Sequence, residues 1–257
     1  MTRRLEGRVA AVIGGGSGMG RAISRRFGEE GATVYVADLS LSAAEAVAGE
    51  ITESGASAVG VEVDAVSNAS LSDLYARIDS EHGKLHVLHN QVGMPGPGGL
   101  DVSDADFARN IDVNVKTAFY GANLAYPLLK KADGKASVIF LASSAALIGS
   151  QFSPLYSLTK GAIVAFARSF ALAAAADGIR ANVICPGPVD TPMLSQFFGR
   201  ERGANIEDLM SAFIALIPLQ RPATVEEIAG VAAFLASDDA GFVTGVALPV
   251  DGGQTAK

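Results

Sequence analysis

At 257 residues, 49% hydrophobic and 18% charged, the chain is long enough for one large domain around a substantial core. A net charge of -7 without any basic block argues against nucleic acid as a partner. The single cysteine, Cys185, excludes an internal disulfide and a cysteine-based metal site and fits a reducing, cytoplasmic compartment. Arg3 and Arg4 ahead of Val9–Ile13 look only faintly like a signal peptide, because the apolar run is short and leads into Gly14, Gly15 and Gly16. The longest apolar stretches are interrupted by Arg168 and Asp177, so no membrane span is expected.

Arg8–Ile13 reads as a buried parallel strand. A glycine-rich turn follows, Gly14 to Gly20, and then a helical pattern over Arg21–Phe27. Strand, turn and helix start together form an anion-binding site, with backbone N–H groups pointing outward and a favourable helix dipole. A second strand, Thr33–Ala37, ends in Asp38, a carboxylate placed to accept hydrogen bonds from an adenosine ribose. The alternation continues. Ala43–Ser54 and Ser70–His82 read as helices, and Ala58–Val63 reads as a strand ending in Asp64. Leu85–His89 is the next strand, followed by Asn90-Gln91-Val92-Gly93 and a Pro/Gly loop over 94–99. Asp104–Leu129 reads as one long helix containing Asn114, and Ser137–Ala142 as a strand delivering Ser143. Beyond the helix after Pro154 come a strand over Arg180–Cys185 closed by Pro186-Gly187-Pro188, a helix over Val225–Ala236 and a last strand over Val246–Val250. Strands alternating with helices predict an α/β chain: one doubly wound parallel sheet, a Rossmann fold with helices on both faces, spanning 1–257 as a single domain. In such sheets ligands lie beyond the carboxyl ends of the strands. Gly14–Gly20, Asp38, Asp64, Asn90, Ser143 and Pro186 all fall there.

Tyr156 and Lys160 are four apart in a stretch of good helix formers, so they share a helix face. A nearby ammonium favours the charged form of a phenol, and such a Tyr can exchange a proton with an alcohol or ketone near neutral pH. A Y-x-x-x-K pair alone is a weak motif; its place in this dinucleotide-binding pattern strengthens it.

On these residues the chain resembles the short-chain dehydrogenase/reductase family over nearly its whole length. Gly14, Gly18 and Gly20 match the family's glycine-rich turn, and Asn90–Gly93 its N-N-A-G element. Asn114, Ser143, Tyr156 and Lys160 match its catalytic tetrad, and Pro186, Gly187 and Thr191 its P-G-x-x-x-T segment. The resemblance implies that Tyr156 is the general acid/base and that Lys160 lowers its pKa and holds the nicotinamide ribose. It implies that Ser143, with Ser144 as rival, binds the substrate oxygen, and that Asn114 fixes a water linking Lys160 to solvent. It further implies cofactor contacts from Ser17 and Met19 in the turn, from Asp38, Leu39, Asp64 and Ala65, and from Asn90, Val92 and Gly93. Val189 and Thr191 would meet the nicotinamide amide. Three positions depart from the family pattern: Ile13 stands where Thr is usual, and Gln91 and Val92 replace Asn and Ala.

The function these features imply is reversible oxidation of a small-molecule secondary alcohol to its ketone. NAD is expected to be preferred over NADP, because Asp38 is followed by Leu39 and Ser40 with no cation offered, and Arg21 is expected to face outward. The alternatives are a 3-oxoacyl thioester reductase and a non-catalytic dinucleotide-sensing regulator. Met193, Leu194, Phe197 and Phe198, followed by Gly199–Gly203, suggest a substrate lid at about 190–220. The family's habit of pairing its active-site helix, with the small residues Gly161, Ala165, Ala171 and Ala173, implies a homotetramer. No metal is expected: His86 and His89 point to opposite faces of a strand and are read as packing or surface residues, and Cys185 as a small buried residue. The acidic residues Glu226, Glu227, Asp238 and Asp239 are read as solvated helix ends.

Overall fold

Seven strands form the sheet in the computed structural model, which describes residues 3–198 and 206–256. They are β1 (Val9–Ile13), β2 (Thr33–Asp38), β3 (Ser57–Glu62), β4 (Val87–Asn90), β5 (Ala136–Leu141), β6 (Ile179–Pro186) and β7 (Ala247–Val250). Their order is β3-β2-β1-β4-β5-β6-β7, and every neighbouring pair is parallel. The order reverses between β1 and β4, where Ile13 is in register with Asn90. That switch point opens a crevice beyond the strand ends.

The helices are α1 (Gly18–Glu29), α2 (Leu41–Glu53), α3 (Asn68–His82), α4 (Asp104–Asn110), α5 (Thr117–Lys130), α6 (Pro154–Ala174), α7 (Pro192–Phe198), α8 (Ile206–Ala215) and α9 (Val225–Ala236). Alternate strand residues feed two cores. Val9, Ala11 and Ile13 of β1 face the layer of α3, α5 and α6, while Ala10 and Val12 face that of α1, α2 and α9. Burial on both faces is why these strands read as unbroken apolar runs rather than alternating ones.

Several boundaries differ from expectation, each for a local reason. β3 closes at Glu62, leaving Asp64 in the following loop. β4 begins at Val87 rather than Leu85, because the His86 ring, through Nδ1, accepts the Val9 N–H at 2.9 Å. α2 begins at Leu41 because Ser40 caps it, its Oγ accepting from the Ala43 N–H at 3.3 Å. Pro154 is the first residue of α6 rather than its preface; its fixed φ and missing N–H suit that position. The long helix expected over Asp104–Leu129 is broken by a wide π-helical turn, Ile111–Lys116, which carries Asn114 fully buried into the molecule.

The expectation of no membrane-length helix is also corrected. Pro154–Asp177, 24 residues that include an 18-residue stretch of mean hydropathy 1.3, is long and apolar enough by composition. Its apolar face is occupied by the protein: Ile163, Val164, Ala167 and Phe170 are buried in the core shared with β5 and β6. The four acidic residues are exposed at helix starts, as expected, and some of them also make specific pairs. Asp238 pairs with the buried Arg8 guanidinium at 2.6 Å, and Glu227 closes a capping box with Thr224 while pairing with Arg221 at 2.6 Å.

Candidate active site

The glycine-rich turn is fixed by backbone geometry. Gly14 and Gly18 have φ of +83° and +50°, which favour glycine. A side chain at Gly20 would place its Cβ 2.0 Å from the Gly14 carbonyl oxygen. The N–H groups of Gly14 and Gly15 donate to the Ala37 carbonyl at 2.7 and 2.9 Å, and Gly16 N–H donates to Asp38 Oδ2 at 2.9 Å. At the start of α1, Ser17 makes no side-chain capping bond and no acidic residue occupies the first turn. The free N–H groups of that helix end are therefore available to an anion. Thr191 lies across from the turn, its Cγ2 3.7 Å from where a Gly18 Cβ would stand.

Asp38 has a double role. Its carboxylate braces the turn through Gly16 and accepts the Ser40 N–H at 3.1 Å, so Ser40 and not Asp38 caps α2. Carboxylate oxygens retain lone pairs for ribose hydroxyls after these two bonds. Arg21 is turned outward and ion-paired with Glu50 at 2.9 Å. Leu39 is exposed beside Asp38, and Ala65 is buried at the end of the next loop. Asp64 Oδ1 accepts the Val66 N–H at 3.0 Å. The donors of the turn and the Asp38 carboxylate fit, by their chemistry, the phosphates and ribose of an adenosine dinucleotide.

At the switch point, the Asn90 side chain donates to the Thr117 carbonyl at 2.8 Å and ties β4 to α5. Val92 Cγ2 packs 3.4 Å from the position of a Gly14 Cβ. Gly93 leaves room for two active-site groups: its added Cβ would lie 3.0 Å from Lys160 Nζ and 3.4 Å from Asn114 Oδ1. Asn114 clamps the next residue from both sides, accepting the Met94 N–H at 2.7 Å and donating to the Met94 carbonyl at 3.0 Å. It also donates to Thr159 Oγ1 at 3.2 Å, which in turn donates to the Tyr156 carbonyl at 2.9 Å.

Ser143 stands past the end of β5 in extended backbone, its Oγ accepting from the Ala145 N–H at 3.2 Å. One turn of α6 separates Tyr156 from Lys160, as the spacing predicts, and Lys160 Nζ lies 5.6 Å from the Tyr156 ring centroid. Lys160 donates to the Leu141 carbonyl at 3.0 Å and is buried, which lowers its pKa to about 8. It is still mostly protonated at neutral pH. Ser143, Ser144, Tyr156 and Lys160 all line one cavity of about 540 Å³, together with Pro186, Val189 and Thr191.

The far wall of that cavity is apolar. Met193, Leu194 and Phe197 of α7 and Leu209, Phe213 and Leu216 in and just after α8 face it. Phe197 meets the Tyr156 ring edge-on at 5.1 Å. Of the expected lid, residues 199–205 and the side chains of Ser195, Gln196, Phe198, Ile206 and Glu207 lie outside the described residues. Sequence reasoning missed the contribution of α8, although Leu209, Phe213 and Leu216 sit at helical spacing. It also missed Ile148, Phe152 and Gln254, which carry no motif, and noted Gln91 only as a departure from the family pattern. His89 and Gln91 form a pair, Nε2 to Oε1 at 2.9 Å, and burial holds His89 and His86 neutral with pKa values of about 4. Cys185 is buried, and burial raises its thiol pKa to about 11.

A family model described as enoyl-(acyl carrier protein) reductase matches residues 14–255. The chain is 34% identical over 255 residues to 2,5-dichloro-2,5-cyclohexadiene-1,4-diol dehydrogenase of Sphingobium indicum, covering 98% of each. It is equally 34% identical over 255 residues to meso-2,3-butanediol dehydrogenase of Serratia marcescens, covering 99% of this chain and 97% of the relative. The crystal structure of NAD+-bound xylitol dehydrogenase superposes with a TM-score of 0.91 at 28% identity, covering 96% of this chain and 98% of that one. The chain belongs to the short-chain dehydrogenase/reductase family. It is an oxidoreductase of a family that binds nicotinamide dinucleotides.

Proposed function

We propose that the protein interconverts a secondary alcohol and its ketone with NAD(H), using Tyr156 as general acid/base. One observation carries this reading: Ser143, Tyr156 and Lys160 converge on a cavity that also reaches Met19 and Thr191 beside the open start of α1. When bound, the nicotinamide supplies the hydride acceptor or donor. During oxidation the alcohol O–H gives its proton to the Tyr156 oxygen as hydride leaves the carbinol carbon; reduction reverses both transfers. The Lys160 cation beside the ring favours the anionic phenol. The Ser143 hydroxyl donates to the substrate oxygen, and Asn114 holds the loop at Met94 so that Gly93 lies against Lys160. A water relay from Lys160 past Gly93 to Asn114 completes the tetrad's proposed roles.

Asp38 supports NAD over NADP. Its carboxylate would oppose a 2′-phosphate in a partly desolvated pocket, and Arg21, the nearby base, is occupied by Glu50. We read residues 1–257 as one domain with a lid over about 190–220, working in the cytoplasm. We further propose a homotetramer, supported by the exposed apolar residues Phe119, Tyr120, Leu158 and Leu172 on α5 and α6; a monomeric mass by light scattering at micromolar concentration would sink that assembly. The matching family model, described as an enoyl-(acyl carrier protein) reductase, supports an acyl thioester as second substrate class; the 3-oxoacyl form of that class is the one that acetoacetyl-coenzyme A with NADH would separate from simple alcohols.

The test of the main reading is a screen of secondary alcohols with NAD and NADP, followed by Tyr156→Phe. That variant should keep cofactor binding and lose about a hundred- to ten-thousand-fold in kcat. Near-native turnover would reject Tyr156 as the acid/base.

A further inference from the structure

Gln254 lines the same cavity as Tyr156, and the proposed chemistry gives it no task. Its Oε1 is shut off from solvent and has no hydrogen-bond partner among the described residues. Three other polar side chains of the cavity are engaged: Ser143 Oγ accepts from Ala145, Gln91 Oε1 bonds His89, and Lys160 donates to Leu141. A buried amide oxygen left unpaired is costly and calls for a reason.

The segment that carries Gln254 is firmly built. The Asp251 carboxylate accepts the Gly253 N–H at 3.0 Å, the Thr255 N–H at 2.9 Å and the Thr255 hydroxyl at 2.6 Å. The Gln254 N–H closes the turn on the Asp251 carbonyl at 3.2 Å. Gly252 and Gly253 have φ of +63° and +88°, and added Cβ atoms would lie 2.7 Å from Ile217 Cγ2 and 3.1 Å from Pro218 Cγ. On the other side, a Cβ on Gly187 would stand 2.9 Å from Asp251 Cα. The turn is thus wedged between the Pro186-Gly187 end of β6 and the segment that follows α8. That is the junction of the cofactor side and the apolar wall, and the wedge fixes the backbone that presents Gln254.

Resting on the alcohol–ketone reading above, we propose that Gln254 is a specificity-determining residue for substrates that carry a second oxygen besides the reacting one. The cavity wall of Phe197, Phe213 and Leu216 fits an apolar carbon skeleton. The Gln254 amide offers one acceptor and two donors; since Oε1 has no accessible surface in the structure, its terminal group must turn toward the cavity to meet a hydroxyl or a carbonyl there. A mono-alcohol leaves it unpaired, whereas a diol or hydroxyketone satisfies it. Sites that hydrogen-bond a substrate group discriminate against the analogue lacking it far more strongly than apolar contacts do.

The experiment compares matched pairs, cyclohexanol with cyclohexane-1,4-diol and 2-butanol with 2,3-butanediol, using the NAD-loaded full chain and its Gln254→Leu variant. We expect the wild type to favour a diol over its mono-alcohol by about tenfold or more in kcat/KM, and the variant to lose that ratio chiefly through KM. A variant that slows both members of a pair equally would have a purely structural defect, and the inference would fall. A wild type indifferent to the second oxygen overturns it as well. A binding arm keeps the two readings apart: NAD-loaded Tyr156→Phe, with and without Gln254→Leu, is melted in the presence of each compound. Tyr156-dependent turnover of both members alike removes the role of Gln254 and leaves the proposed function standing. Diol-selective thermal protection that needs Gln254, without turnover of any compound, keeps the role of Gln254 and removes the proposed function. Neither turnover nor protection with any pair removes both.

Discussion

Across the crevice beyond β1 and β4, two walls are made in different ways. On the cofactor side the Gly14–Gly20 turn is defined by backbone: positive φ at Gly14 and Gly18, N–H groups pinned to β2, and no room for a carbon at Gly20. On the substrate side α7 and α8 present Leu194, Phe197, Leu209 and Phe213, apolar side chains whose job is to fill volume. A backbone-built surface accepts almost no substitution, because any Cβ in the wrong place displaces main chain. A side-chain-built surface accepts many, because volume can be supplied by several residues at modest cost. The proposed ligands match this division: a cofactor of fixed shape against the first wall, a variable substrate against the second.

The sharpest test compares two glycines of neighbouring helices. Gly20→Ala forces a Cβ to 2.0 Å from the Gly14 carbonyl oxygen, so the turn must open. We expect NAD binding by calorimetry to weaken by at least about a hundredfold, with a loss of several kcal/mol in stability, beyond the roughly 1–3 kcal/mol of ordinary overpacking. Gly49→Ala, inside α2 with nothing within 4 Å of the added Cβ, should leave NAD binding as it is and stabilise the protein by about 0.5–1 kcal/mol. Similar NAD affinities for the two variants would remove the claim that backbone shape makes the cofactor wall.

A smaller effect is expected at Asp38, where the cofactor wall does use a side chain. Asp38→Ala would orphan both the Gly16 and the Ser40 N–H, whereas Asp38→Asn keeps an acceptor for Gly16 and gives up the charge together with the exposed Ser40 bond. We expect Asp38→Asn to narrow the NAD preference in kcat/KM by about tenfold, which corresponds to about 1.4 kcal/mol, by weakening NAD and relieving the repulsion of NADP. A wild type as efficient with NADP as with NAD would show that the carboxylate is not the selector.

How much could be read from the sequence follows the same division. The glycines, Asp38 and the Tyr156–Lys160 spacing were legible because each expresses a local geometric demand: a positive φ, a strand end, a shared helix face. Asn114 was recognisable as a residue type, but not the π-helical turn that buries it, because no Gly or Pro within Ile111–Lys116 marks the wider winding. The start of β4 was misplaced because the His86 ring takes up the Val9 N–H, a contact between residues far apart in the chain. The His89–Gln91 pair depends on how β4 packs against Phe27 of α1, and Gln254 on a turn wedged between β6 and the segment after α8. Such positions are set by tertiary packing, and no local pattern announces them.

The smallest predicted effect belongs to the substrate wall. Phe197 lies half-buried on α7 with its ring edge-on to Tyr156 at 5.1 Å. Truncation to Ala removes an aromatic contact worth about 0.5–1.5 kcal/mol beyond its buried area. It leaves the turn, Asp38 and the Lys160 bond to Leu141 in place, so cofactor affinity should not change. Because the ring touches Tyr156, the proposed general acid/base, without forming its hydrogen bonds, the loss should fall on substrate binding: about a two- to tenfold rise in KM, with kcat within about threefold of wild type. Bulkier alcohols should suffer least, since they can occupy the volume the ring vacates, and steady-state kinetics across alcohols of increasing size would show that trend. A fall in kcat of a hundredfold or more at unchanged KM would mean that Phe197 orients the Tyr156 hydroxyl. The substrate wall would then be as exacting as the cofactor wall, and the contrast between them would fail.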